Sequence, residues 1–204
     1  MKYAESGTMS RCFLGFELTD ESRLELEHWF LPMFKEMHEE LEWQIKMVLP
    51  LNWHATLLFF PELKPEDREL AWRQVVNWTE AKVWKVREFQ WKGLAIWPSA
   101  VRPGLICLAG EPFKLSQQWP LASALSEFPF QAGRGEHVWS YRPHITLARF
   151  PRGRQRVNET SWLRFLSRHN PLPESQIQLD RLSFFLSKLS IQNPVYPRER
   201  TIHL

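Results

Sequence analysis

The pattern His-x-Thr-Leu occurs twice in this chain of 204 residues, at residues 54–57 and 144–147. Each copy lies in an apolar run that predicts a β-strand. Because successive side chains of a strand point to opposite faces, His54 shares a face with Thr56, and His144 shares one with Thr146. If the two strands face each other, two imidazoles meet in one cleft. Such a pair can take a proton from one oxygen atom and give a proton to another.

A single copy of the pattern would carry little information, because a histidine in a strand is more often a hydrogen-bonded structural residue than a catalyst. The two copies stand 90 residues apart, one in each half of the chain. Both contain the same threonine and leucine in the same strand-like setting. The duplication therefore indicates that the two histidines act together.

The sequence around these motifs resembles the 2H phosphoesterases, most closely the bacterial and archaeal RNA 2′,3′-cyclic phosphodiesterases, once called 2′-5′ RNA ligases. Residues 11–18 are similar to the first strand of that family, and residues 142–149 to its second motif with the trailing arginine. Residues 179–204 are similar to its closing strands. The first motif of the family usually continues into a Leu-Gly turn, where this chain has Phe60-Pro61. The shape of that loop is therefore expected to differ.

The resemblance implies an enzyme that hydrolyses RNA 2′,3′-cyclic phosphodiester ends to 2′-phosphomonoesters. It implies His54 as the proton donor and His144 as the proton acceptor, whereas the residues alone leave the two roles open because the motifs are near copies. Arg149 matches the arginine of the family pattern, so we assign it a phosphate or ribose contact. The hydroxyls of Thr56 and Thr146, with Arg149, are expected to hold the non-bridging phosphoryl oxygens.

A coarse reading of the chain predicts alternating strands and helices. Strands are predicted at residues 12–18, 43–48, 52–60, 83–91, 105–108, 177–186 and 195–203. Helices are predicted from Thr19 or Asp20, from Pro65, over residues 112–128 and after Asn158. Strand-helix-strand order recurs around each motif. This predicts an α+β fold with two pseudo-symmetric lobes, mostly antiparallel sheets flanked by helices, and an active-site cleft between the lobes.

Two details of this reading can be tested directly by a structure. The apolar face of the first helix is expected to carry Leu24, Leu31, Phe34 and Leu41. Residues 97–104 and 133–136, which are rich in proline or glycine, are expected to be mobile connectors able to close over a substrate.

The composition predicts one soluble domain. We expect residues 1–10 to be a loose leader and residues 11–204 to form a single bilobal domain, since 44% of the residues are hydrophobic. No apolar run approaches the roughly 20 residues of a membrane span, and the N-terminus lacks the basic and apolar parts of a secretory signal. Cys12 and Cys107 are expected to be reduced core residues. These features predict a cytoplasmic protein without a membrane partner.

The net charge of +3 and the isoelectric point of about 9.0 fit a protein that meets a polyanion. Basic residues cluster just after the second motif, at Arg149, Arg152, Arg154 and Arg156. This cluster can draw an RNA backbone toward the cleft. The alternative is an ordinary solvated loop.

Other chemistry finds no support in the sequence. The chain has no histidine or cysteine spacing typical of a zinc site, no phosphate-binding Gly-x-x-x-x-Gly-Lys loop and no Gly-x-Ser-x-Gly elbow. We therefore expect acid-base chemistry with no metal and no cofactor, carried out by a monomer whose partner is RNA with a 2′,3′-cyclic phosphate end. Its kcat/KM should be bell-shaped, with a maximum at roughly pH 6–8.

Three alternatives remain at this stage. The chain could be a non-catalytic RNA-end binding protein, a 2′-5′ RNA ligase, or a phosphodiesterase for small cyclic nucleotides that uses the same cleft. Phe13, Phe59 and Trp53 are candidates for stacking on a nucleobase. Turnover of an oligonucleotide with a cyclic phosphate end, compared with a cyclic mononucleotide, separates these alternatives.

Overall fold

Ten strands and three α-helices are present in the residues that the computed structural model describes, which are 10–39, 42–80, 89–111, 113–114, 140–151, 156–169, 177–188 and 196–204. Several predicted features lie outside the described residues. They are the leader up to residue 9, most of the predicted strand 83–91, most of the predicted helix 112–128, the connector 133–136, and Arg152 and Arg154.

Five of the described strands end by residue 110, and one of them begins at the first motif. In chain order they are β1 (Ser10–Leu18), β2 (Lys46–Met47), β3 (His54–Leu63), β4 (Trp91–Ser99) and β5 (Arg102–Gly110). The remaining strands are β6 (Phe113–Lys114), β7 (Ser140–Tyr141), β8 (His144–Arg149), β9 (Leu179–Leu186) and β10 (Arg198–His203). The two motifs therefore open β3 and β8.

Eight of these strands form one antiparallel sheet. Its order is β10-β9-β1-β3-β8-β5-β4, and the short β2 also pairs with β8. The halves of the sheet meet where β3 lies beside β8, with Ala55 paired to Ile145. Strands β6 and β7 form a separate two-stranded sheet. The predicted α+β fold with mostly antiparallel strands is confirmed.

The three helices are α1 (Asp20–Glu39), α2 (Pro65–Glu80) and α3 (Glu159–His169). Thr19 accepts a hydrogen bond at its hydroxyl oxygen from the backbone N–H of Ser22, which caps α1 as the sequence predicts. Asn158 accepts a similar bond at its side-chain oxygen from the N–H of Ser161, which caps α3. Each cap satisfies a backbone donor that the first turn of a helix leaves unpaired.

The predicted apolar face of α1 is wrong in phase. Leu24 is 66% exposed, and Leu31 and Phe34 are only partly buried, whereas Leu41 lies outside the described residues. The buried stripe consists of Ser22, Leu26, Phe30, Met33 and Met37. These positions follow the three-to-four residue spacing of one helix face. Two of them are methionines, whereas the predicted face consisted mainly of leucines.

The predicted connector at residues 97–104 is also wrong. Residues 91–99 and 102–110 form a β-hairpin in which Pro98 pairs with Pro103, so only Ala100 and Val101 form the turn. The prolines lie at the end of the hairpin, where a missing backbone N–H costs little. The predicted strand at residues 43–48 is reduced to Lys46–Met47.

The helices and the strands share one hydrophobic core. Leu26 of α1, Ala71 of α2 and Phe165 of α3 are buried in the same cluster as Ala55 and Ile145. His54 and His144 alternate with those two strand residues and keep partial exposure. The three described helices therefore cover one face of the sheet, and the histidine face, here called the open face, carries none of them.

Both cysteines are free and buried, as predicted. Burial raises the pKa of the Cys12 and Cys107 thiols to about 12, which keeps both protonated at neutral pH. Among the described residues, no helix is long and apolar enough to cross a membrane.

The corrected face of α1 can be tested with a matched pair of substitutions. Leu26→Ala should lower the free energy of unfolding by about 2–5 kcal/mol, because it opens a cavity in the core. Leu24→Ala should change it by less than about 0.5 kcal/mol, because that side chain lies largely in solvent. Urea unfolding of both variants measures the difference, and equal losses would contradict the observed helix face.

Candidate active site

The pairing of Ala55 with Ile145 sets the geometry of the site. In an antiparallel pair this register places His54 opposite Thr146 and Thr56 opposite His144. All four side chains are half-buried and lie on the open face of the sheet, whereas Ala55 and Ile145 are fully buried on the other face. The structure therefore brings the four motif residues together, with the two histidines on a diagonal.

Each motif contains a β-bulge at its leucine, the last residue of the motif. Strand β1 pairs Gly15 with Thr56 and Leu14 with Leu58, so Leu57 has no partner in β1. Strand β5 repeats this arrangement with β8, which leaves Leu147 unmatched. The burial pattern is the same over residues 54–59 and 144–149. The bulges and the burial pattern make the two halves of the site near-symmetric.

The second bulge explains how Arg149 reaches the site. Simple alternation would place Arg149, five residues after His144, on the opposite face. One extra residue at Leu147 restores it to the histidine face, where it is exposed. From this face its positive charge lowers the pKa of both histidines.

Each imidazole is fixed through Nδ1 by a backbone carbonyl two residues earlier. Nδ1 of His54 lies 2.7 Å from the oxygen of Asn52, and Nδ1 of His144 lies 3.0 Å from that of Arg142. A carbonyl only accepts, so Nδ1 carries a proton in both rings and Nε2 is the atom that titrates. Nε2 of His54 also lies 3.1 Å from the hydroxyl oxygen of Thr56.

Both histidine pKa values are lowered. Burial lowers the pKa of His54 to about 4, assisted by the charges of His144 and Arg149, although the Asn52 carbonyl and Glu17 act in the opposite direction. Burial also lowers the pKa of His144, assisted by Arg149. Both rings are therefore largely neutral at pH 7 in the free protein. An anionic ligand between them would favour protonation of one ring.

The ring of His54 lies among three aromatic rings. The ring centre of Phe13 is 4.6 Å away in a stacked arrangement, and those of Tyr196 and Phe185 are 5.5 and 5.6 Å away. This enclosure is the origin of its desolvation, although the residue keeps some exposure toward the cleft. The stacked rings also limit rotation of the imidazole.

His144 has a different neighbour, Trp97, whose ring centre lies 4.5 Å from that of the imidazole. Sequence reasoning missed Trp97 because it placed this residue in a mobile loop.

Of the three predicted stacking residues, Trp53 is only 3% exposed and packs against Phe30, so it is a core residue. Phe13 is also buried, whereas Phe59 is 38% exposed.

Glu17 is a second residue that the sequence did not single out. It pairs with His54 across the strands and is only 3% exposed. Burial opposes its ionisation, but hydrogen bonds from Arg198 and Ser183 outweigh burial and hold the pKa of the carboxyl below its usual range. Nε of Arg198 lies 2.8 and 3.0 Å from the two carboxylate oxygens. Ala109 occupies the corresponding position opposite His144, so the two halves differ here.

The predicted arginine cluster lies only partly within the described residues. Arg156 is exposed, and Arg152 and Arg154 lie outside the described residues, so the arginine cluster remains a prediction. Within the described ranges, no group of three or more histidine, cysteine, aspartate or glutamate side chains could hold a metal ion.

The close approach of β1 to His54 yields one prediction. A Cβ atom at Gly15 would lie 3.1 Å from Cδ2 of His54 and 3.5 Å from a Phe13 ring carbon, so Gly15→Ala should displace the imidazole by a few tenths of an ångström. We expect the ring resonances of His54 to shift in histidine-selective NMR spectra. Gly104→Ala, which meets the Trp97 carbonyl instead, should leave them unchanged. Unchanged His54 resonances in Gly15→Ala would contradict this contact.

The lowered pKa values yield a second prediction. A donor must be protonated and an acceptor neutral, so lowering both pKa values moves the bell-shaped kcat/KM profile of the free enzyme to lower pH. We expect the maximum below about pH 6.5, the ordinary histidine pKa, which is at or below the lower end of the range of roughly pH 6–8 expected from the sequence. The two limbs belong to the coupled pair. A maximum above about pH 7 would contradict the observed burial.

Comparison with known proteins shows which fold this is. No family model and no curated protein matches the chain. Among solved structures, E. coli LigT complexed with phosphate has a TM-score of 0.55 and 18% identity over 96% of this chain and 98% of its own. The protein TT0787 of Thermus thermophilus has a TM-score of 0.57 and 19% identity, over 95% of this chain and 97% of its own. A structure described as a phosphoesterase has a TM-score of 0.52 and 17% identity, covering 96% of this chain and 98% of its own. Over nearly its whole length, therefore, the chain has the fold of LigT, as its resemblance to the 2H phosphoesterases led us to expect.

Proposed function

We propose that this protein is a 2H phosphoesterase that hydrolyses RNA 2′,3′-cyclic phosphodiester ends to 2′-phosphomonoesters. The observation that carries the proposal is the antiparallel pairing of the two motifs at Ala55 and Ile145. This pairing puts two imidazoles, two hydroxyls and, through the bulge at Leu147, one guanidinium on one open face. Hydrolysis of a phosphodiester requires an acid, a base and hydrogen-bond donors for the phosphoryl oxygens at one place.

The proposed reaction proceeds through one displacement at phosphorus. Nε2 of His144 takes a proton from water as the water oxygen bonds to phosphorus. The bond from phosphorus to the ribose 3′ oxygen breaks, and Nε2 of His54 gives that oxygen a proton. The products are a 2′-phosphomonoester and a 3′ hydroxyl. The assignment of donor and acceptor is taken from the family resemblance.

The protein environment supports this chemistry in two ways. Nδ1 of each ring is held by a carbonyl, so Nε2 of each ring is available for proton transfer. Thr56, Thr146 and Arg149 are proposed to bind the non-bridging oxygens and offset the negative charge that develops there. The bound anion would also raise the lowered pKa of His54 and favour its role as the donor.

The structural relatives include complexes with anionic ligands. LigT has been solved in complex with phosphate and with 3′-AMP, and it shares the fold. We propose that the present chain likewise takes a phosphate ester, at the end of an RNA strand. We expect it to act as a monomer in the cytoplasm without a metal ion or cofactor.

The proposal is tested by removing each histidine. His54→Ala and His144→Ala should each lower kcat on an oligonucleotide with a 2′,3′-cyclic phosphate end by about 10²–10⁴-fold, the usual contribution of one positioned acid or base. The double variant should be little worse than either single variant, because paired catalysts act as a unit. His28→Ala, an exposed histidine on α1, is the matched control and should keep full activity.

The same assay separates the alternatives. Near wild-type activity in either single variant would rule out the two-histidine mechanism. Tight binding of the RNA end without turnover in the wild-type protein would indicate a binding protein. Joining of the cyclic end to an added 5′ hydroxyl would indicate a ligase, since that hydroxyl would replace water in the same displacement and use the same two proton transfers. Turnover of cyclic mononucleotides alone would restrict the substrate to small molecules.

A further inference from the structure

A cation–π pair lies at one end of the proposed cleft. The guanidinium carbon of Arg11 is 5.4 Å from the ring centre of Phe59. Phe59 is 38% exposed and Arg11 is exposed as well. Within the described part of the chain, no ion pair engages the Arg11 guanidinium. An exposed aromatic ring beside an exposed guanidinium is thus open to a ligand.

The pairing between strands places this pair on the histidine face. Phe59 pairs with Phe13 across β1 and β3, and directly paired residues point to the same face of a sheet. The ring of Phe13 stacks on that of His54, so Phe59 faces the same side as His54. Phe60, the next residue, is buried against Phe184 on the opposite face.

Phe59 lies further along the sheet than His54, beyond the ring of Phe13. Glu17 lies opposite His54 and Phe13 lies opposite Phe59, so four residues of β1 separate the two levels. At about 3.4 Å per residue this corresponds to about 14 Å between backbone positions along the strand. The buried Phe13 ring occupies the interval. A ligand that fills the histidine site and also contacts Phe59 must therefore extend past the Phe13 ring.

The two ends of the cleft differ in chemistry. Phe59 follows its bulge at the position that Arg149 occupies after the other bulge. One end thus offers an aromatic face with a guanidinium above it, and the other offers a guanidinium on the strand itself. The near-symmetric halves therefore differ here as well as at Glu17 and Ala109.

Building on the proposed function, we propose that Phe59 and Arg11 form a subsite for the nucleotide that precedes the terminal one in a single-stranded RNA substrate. Stacking of the base on the Phe59 ring or on the Arg11 guanidinium plane would add affinity without sequence preference, because every base has a π face. Arg11 would also attract the phosphate that links the two nucleotides. The RNA strand would then leave the cleft over the Phe59 end rather than past Arg149.

The experiment compares a dinucleotide and a mononucleotide that both end in a 2′,3′-cyclic phosphate. Phe59→Ala should lower the ratio of their kcat/KM values by about tenfold, within the range of one stacked base. Phe59→Trp should preserve the ratio because it keeps a planar ring, and Phe59→Leu should lower it although it stays apolar. Arg11→Ala should also lower it, by a smaller factor. Leu24→Ala, an exposed apolar residue on the helix face, is the control and should leave the ratio unchanged.

A second measurement separates failure of the subsite from failure of the proposed function. Fluorescence anisotropy gives the Kd of labelled dinucleotide and mononucleotide products that end in a 2′-phosphate. If the wild-type protein hydrolyses neither substrate, the proposed function is wrong, and the Kd ratio alone decides the subsite. A ratio that falls in Phe59→Ala and is kept in Phe59→Trp supports the subsite. A ratio in Phe59→Ala equal to that of the wild type, in turnover or in binding, overturns it.

Discussion

The pairing of Ala55 with Ile145 is the contact on which the site depends, because it joins the two halves of the sheet. Both residues are fully buried against the helical layer, and this burial forces the intervening histidines and threonines onto the open face. A shift of one residue in this register would turn His54 and Thr56 into the core and expose Ala55. The hydrophobic core thus fixes the position of the polar residues, and the proposed chemistry follows from the packing of apolar ones.

Burial and charge act together on the histidine pair. Burial among aromatic rings, assisted by the charges of His144 and Arg149, lowers the pKa of His54 to about 4, so its imidazole is neutral at pH 7 in the free site. The charge of a bound anionic phosphodiester would favour protonation of one ring while the other stays neutral. Glu17 also raises the pKa of a histidine, but only that of His54, because Ala109 stands at the matching position beside His144. The near-symmetric motifs therefore lie in unequal electrostatic surroundings.

Strand alternation in the sequence predicted that each histidine would share a face with its threonine, and the structure agrees. Alternation could not predict that Arg149 joins them, because that depends on the bulge at Leu147, which only the pairing with β5 reveals. The phase of α1 was predicted wrongly because leucines at 24 and 31 fit a helix period as well as Leu26, Phe30, Met33 and Met37 do, and only the contacts of the sheet decide between the two faces. Trp97 was missed for a related reason. Its neighbouring prolines resemble those of a loop, whereas Pro98 and Pro103 face each other in a hairpin.

The central claim is tested most directly by identifying which bond to phosphorus breaks and which oxygen atom enters. An oligonucleotide with a 2′,3′-cyclic phosphate end can be incubated with the protein in H₂¹⁸O and the product examined by ³¹P NMR and mass spectrometry. The account predicts a 2′-phosphomonoester that carries one ¹⁸O atom and leaves a free 3′ hydroxyl. A 3′-phosphomonoester, or a cyclic phosphate that remains intact at every pH tested, would contradict it.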